Sequence, residues 1–126
     1  MYSSKKGRVM SKAVHVTTAT FEDQVILSEQ PVMVDFYADW CGPCKMLSPV
    51  LEQLAVDHTE IKIAKVNVDE EPALAERYRV RGIPHVVMFR NGKVAEQVLG
   101  YKPKAALEAS LGLNGGVPKP VGPSPA

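Results

Sequence analysis

Apolar side chains recur along this chain with two different periods, and the places where the period changes mark its elements. Val14 and Val16 alternate with His15, the pattern of a short first strand. Thr20 is placed to cap a helix running through Phe21, Val25, Ile26 and Leu27 to about Glu29, and Pro31 stops it. Residues 32–38 are nearly continuous in β-branched and aromatic side chains, as a central strand covered on both faces requires, with Asp35 the exception inside it. From Gly42 onward, Met46, Leu47, Val50, Leu51, Leu54 and Ala55 recur at helical spacing and place one apolar face on a helix ending near His58. Pro49 lies within that helix and removes a backbone donor, so a kink is expected there.

Ile61 to Val68 reads as another strand, with Ala64, Val66 and Val68 on one parity and Lys65 and Asn67 on the other. Strand, helix, strand implies a right-handed parallel crossover. Pro72 begins a short helix through Leu74, Ala75 and Tyr78. Val86–Phe89 and Val94–Leu99 flank Asn91-Gly92, a pair suited to the positive backbone angles of a tight turn, and predict an antiparallel hairpin. After Pro103, Ala105, Ala106, Leu107 and Leu111 supply the apolar side of a closing helix. The fold class is therefore α/β, a mixed sheet with helices on both faces. Residues 1–13 read as a flexible basic arm, 14–112 as the folded domain and 113–126 as a disordered Gly/Pro-rich tail.

A chain of 126 residues can bury a core without a covalent or metal staple, so its two cysteines are not needed to hold it together. The formal charge of +1 predicts neither nucleic acid nor an anionic membrane as partner. Lys5, Lys6, Arg8 and Lys12 suggest the start of an export signal, but Ser11, Lys12, His15 and Thr17 break up the apolar run that should follow. With no run of apolar residues long enough to span a bilayer either, a cytoplasmic protein is expected, where a cysteine pair is more often catalytic or metal-binding than structural.

Both cysteines fall in Trp40-Cys41-Gly42-Pro43-Cys44-Lys45, between the apolar strand and the periodic helix. Backbone N–H groups at a helix start stabilise a thiolate, and a thiolate can attack a disulfide. The alternatives are a small stabilising disulfide or two ligands of a zinc site. Zinc would want two more ligands, and His15, His58 and His85 stand at unrelated spacings, so the expected metal content is none. Asp35, six positions before Cys41, is an acid inside an apolar strand. Desolvation there should raise its pKa and suit it to accept the Cys44 proton, with Lys65 on the adjacent strand as its charge partner.

These residues arrive in the order of a known family. Val34-Asp35-Phe36, the six-residue cysteine motif, Pro49, Lys65 to Asp69, Arg81-Gly82-Ile83-Pro84, Asn91-Gly92 and Gly100 together resemble the thioredoxin family over about residues 14–112. His85 stands where that family usually has threonine, and Tyr37 where its best-known members have tryptophan. The resemblance implies the thioredoxin fold and a protein-disulfide reductase with catalytic residues Cys41, Cys44, Asp35 and Lys65. Cys41, nearest the helix start and expected to be the more exposed, attacks; Cys44 resolves. It further implies that Gly42 and Pro43 tune the redox poise, that Pro84 is cis, and that Trp40, Gly82, Ile83, Pro84 and Gly100 border the substrate-binding surface. The implied partners of a monomer are disulfide-containing proteins and a separate NADPH-dependent thioredoxin reductase. No dinucleotide-binding glycine motif occurs, so no bound cofactor is expected beyond the reversible Cys41–Cys44 disulfide. The competing functions are a disulfide oxidase or isomerase, disfavoured by Gly-Pro between the cysteines, and a redox-silent subunit that clamps a larger complex.

Overall fold

The computed structural model of the chain describes residues 13–113. The expected arm and tail lie outside the described residues except at their inner ends, where Ala13 opens the first strand and Leu113 is buried in the core. In chain order the elements are β1 (Ala13–His15), a π-helical turn (Glu22–Ile26), β2 (Val32–Tyr37), α1 (Gly42–Asp57), β3 (Lys62–Asn67), α2 (Pro72–Arg77), β4 (His85–Arg90), β5 (Lys93–Leu99) and α3 (Lys104–Ser110).

The strands form one five-stranded sheet in the order β1-β3-β2-β4-β5. β3 pairs in parallel with both β1 and β2, whereas β4 pairs antiparallel with β2 and β5, which gives the mixed sheet expected. Strand parity then divides the core into two layers. Met33 packs with Leu47, Leu51 and Leu54 of α1 and with Leu107 of α3. Val32, Val34 and Phe36 point the other way, against Phe21, Val25 and Leu74. Asp35 shares the parity of Met33 and so faces the α1 side of the sheet, in the middle of its most covered strand.

Two expectations change. Thr20 caps no helix: its hydroxyl accepts a hydrogen bond from the Thr17 backbone N–H at 3.0 Å, and the N-cap position falls to Phe21, which has no side-chain cap. The helix expected to reach Glu29 is correspondingly short, closing with the Leu27 N–H donating to the Glu22 carbonyl before the chain leaves it. The side chain that could have extended the helix backwards is engaged in its own threonine turn. α1 is continuous from Gly42 to Asp57 with Pro49 inside it.

The hairpin turn is as the sequence predicts, with φ of 54° at Asn91 and 79° at Gly92. Gly92 is doubly constrained, because a Cβ there would lie 2.7 Å from the carbonyl oxygen of Ile26, a backbone atom that cannot swing away. Gly92→Ala is therefore expected to destabilise the protein by about 2 kcal/mol, combining the left-handed penalty with that contact. Urea unfolding should show a lower midpoint at unchanged slope.

Candidate active site

The chain leaves β2 at Tyr37, turns through 38–40 and enters α1 with Cys41 as its N-cap. Cys41 holds an extended conformation, φ −90° and ψ 108°, which turns its sulfur back over the first helical turn. There Sγ accepts a hydrogen bond from the Cys44 backbone N–H at 3.2 Å. Pro43 lies in that first turn, where a missing N–H leaves no bond unmade. Cys41 and Cys44 are joined by a disulfide with their Cα atoms 5.3 Å apart. Greater exposure of Cys41 is not found: both cysteines are 4% exposed, packed with Ala38 and against Tyr37, Val68 and Ile83. Their difference lies in the hydrogen bond, since Cys41 is the sulfur that receives a helix N-terminal N–H, the interaction that stabilises a thiolate.

Asp35 and Lys65 face each other across the parallel β2–β3 ladder. Asp35 is 1% exposed, and neither of its carboxylate oxygens has a hydrogen-bond partner among the described residues. Lys65 Nζ stands 3.7 Å from Asp35 Oδ2, within ion-pairing range but beyond a hydrogen bond. Burial pushes the Asp35 carboxyl up to about 6, and the nearby ammonium pulls part of the way back. Lys65 Nζ also donates to Ser48 Oγ at 3.1 Å and lies 4.8 Å from the centre of the Tyr37 ring. A pocket of about 120 Å³, roomy enough for water, is lined by Cys44, Ser48 and Lys65 together with Tyr37 and Asp39.

The loop ahead of β4 closes the site from the other side. The Ile83–Pro84 peptide is cis, and the Pro84 carbonyl accepts a hydrogen bond from the Gly100 N–H at 2.8 Å. Gly100 has φ of +89°, a left-handed conformation that glycine adopts without strain. Gly82 lies against the Leu99 side chain, and Ile83 packs on the cysteine cluster. Trp40 is 70% exposed, next to Cys41. Ile83 thus lies directly against the disulfide cluster, and Pro84, itself buried, is tied through its carbonyl to Gly100.

The thioredoxin family model matches residues 12–112. The chain belongs to the thioredoxin family. Thioredoxin 1 of a Nostoc species is 44% identical over 103 residues, covering 81% of this chain and 96% of that protein. Thioredoxin of Thiocapsa roseopersicina is 51% identical over 82 residues, 64% of this chain and 90% of its own. The M-type chloroplastic thioredoxin of Spinacia oleracea is 40% identical over 114 residues, 87% of this chain and 63% of its own. With the Cys41–Cys44 disulfide at the end of β2, the protein is a thiol-disulfide oxidoreductase that works by dithiol–disulfide exchange. Among the described residues no group of three or more His, Cys, Asp or Glu could hold a metal, and no helix is long and apolar enough to cross a membrane.

Three members of this thioredoxin site escape the reading of the sequence. Asp69 accepts the Trp40 indole N–H at 2.8 Å and fixes the exposed ring. Asn67 holds the segment that carries Asp69, its side-chain oxygen accepting the N–H groups of Asp69 at 2.9 Å and Glu70 at 3.2 Å. Ser48 is the third. Asn67 and Asp69 stand in the Lys65–Asp69 segment that carries the family resemblance, which assigns them no role; a lone serine in a helix carries no signal. His85 takes no visible part: it sits beside Phe36 on the opposite face of the sheet from Asp35, with Nε2 2.9 Å from Gln97 Oε1.

Proposed function

We propose that the protein is a general protein-disulfide reductase in which Cys41 is the attacking thiolate and Cys44 the resolving thiol. The supporting observation is the Cys44 N–H directed at Cys41 Sγ at the start of α1. Cys41 attacks one sulfur of a substrate disulfide, forming a mixed disulfide and releasing the other substrate sulfur as a thiolate. Cys44 then gives up its proton and attacks Cys41 Sγ. The Cys41–Cys44 bond forms, the second substrate sulfur leaves, and two electrons have passed from the cysteine pair to the substrate. Asp35 is the acceptor of the Cys44 proton, directly or through pocket water, and Lys65 steadies the carboxylate that results.

Trp40, Gly82, Ile83, Pro84 and Gly100 form the docking surface for an extended target segment. The backbone there supplies affinity with little demand on target side chains. Recharging falls to a separate NADPH-dependent thioredoxin reductase, and the protein acts as a cytoplasmic monomer in electron transport to disulfides, with residues 14–112 as its functional domain. Reduction of insulin disulfides tests this reading: the parent should turn over with such a reductase and Cys41→Ser should not. Equal activity of the two would refute it.

Gly42 and Pro43 set how readily the pair opens. Pro43→His should make the protein more oxidising by tens of mV. Equilibration with glutathione measures this directly, and an unchanged equilibrium constant would remove Pro43 from the tuning role.

A further inference from the structure

Lys65 Nζ is shared unequally. It stands closer to the neutral hydroxyl of Ser48, 3.1 Å, than to the carboxylate of Asp35, 3.7 Å. An ammonium with a free choice would take the charged acceptor, since a charge-assisted bond is both shorter and stronger. Ser48 lies on α1 one turn after Cys44, so both side chains point to the same pocket from the same helix face. Lys65 reaches that pocket from β3, whereas the orphaned Asp35 oxygens lie behind it, buried in the sheet.

We propose that Ser48 is a positioning residue for disulfide exchange, its hydroxyl holding the Lys65 ammonium at the pocket wall beside Cys44 and out of hydrogen-bonding range of Asp35. The inference rests on the proposed role of Asp35 as acceptor of the Cys44 proton. A lysine fully hydrogen-bonded to Asp35 would keep that carboxylate ionised to low pH and make it a poor proton acceptor. A lysine removed altogether would leave burial unopposed and push the carboxyl further up. Ser48 sets the intermediate arrangement. The other charged or titratable groups facing this pocket are Asp39 from the turn, Lys45 from α1 and Tyr37 from β2. None of them changes when Ser48 is replaced, so they form a constant background.

The test compares the full chain with Ser48→Ala and with Ser48→Thr, which keeps the hydroxyl. Carbon NMR of the Asp35 carboxyl in the oxidised protein should show the Ser48→Ala midpoint moved down by about one pH unit, as Lys65 closes on the carboxylate. Ser48→Thr should titrate with the parent. An unmoved or raised midpoint in Ser48→Ala, or an equal shift in both variants, overturns the proposal. The link to exchange is read separately, from the pH profile of mixed-disulfide resolution. Ser48→Ala should shift that profile in the parent but add nothing in an Asp35→Asn background. A shift that persists without the carboxylate overturns the positioning role. Asp35→Asn resolving as fast as the parent refutes the Asp35 reading itself, and the carboxyl titration still reports on Ser48.

Discussion

Cys44→Ser in the reduced protein is expected to leave the substrate stranded on Cys41 as a stable mixed disulfide. The chain has only two cysteines, so once Cys41 is linked no other thiol of the molecule can finish the exchange. Intramolecular attack by a positioned group reaches effective molarities of about 10⁵ M or more, which no free thiol in solution matches, so turnover should fall by at least ~10³-fold. Intact mass of the trapped adduct, followed by peptide mapping, should place the substrate on Cys41. The mirror variant, Cys41→Ser, should give no adduct. Adduct formation on Cys44 in that variant at a comparable rate would reverse the order of attack, and the hydrogen bond at the helix start would lose its assigned meaning.

Asp35→Ala should pull stability and activity in opposite directions. The carboxyl is 1% exposed and its pKa is raised from an ordinary 3.8 to about 6, so in the folded protein the charged form is disfavoured. Between those values the folded state binds more protons than the unfolded state, and stability falls as pH rises through this window. The accumulated penalty above it is about 3 kcal/mol, less whatever Lys65 loses when its partner goes. Asp35→Ala should therefore unfold at higher urea than the parent at pH 8, and the gain should shrink as pH falls through the window and vanish below about pH 3, where the acid is neutral in both states. Resolution of the mixed disulfide should slow by on the order of 10²-fold near pH 7, as for loss of a general base, and recover at high pH where the thiol ionises unaided. A variant that is less stable at pH 8 and resolves normally would make Asp35 a structural residue.

The same residues explain how far the sequence could be read. Cys41, Gly42, Pro43, Cys44, Ile83 and Pro84 were legible because each occupies a place in an ordered motif, and Asp35 because an acid in an apolar strand is conspicuous. Asn91-Gly92 was legible because its turn demands positive φ, a local property of two residues. Thr20 misled because its cap competed with an equally local partner, Thr17, and the winner depends on where Phe21 must be buried. Cys41 misled on exposure because coverage is set by Val68 and Ile83, which come from distant segments of chain.

What the sequence determined alone was therefore the element order, the identity of the redox pair and the presence of an acid inside the apolar strand that precedes it, all written in periodicity and in motifs a few residues long. What only the tertiary structure decided was the balance of forces at the site: that Lys65 leans toward Ser48 and away from Asp35, and that Asp69 steadies Trp40. Periodicity reports which face a side chain turns to the core. A difference of half an ångström between two acceptors of one ammonium depends on how a helix, two strands and a loop pack together, and no single segment encodes it.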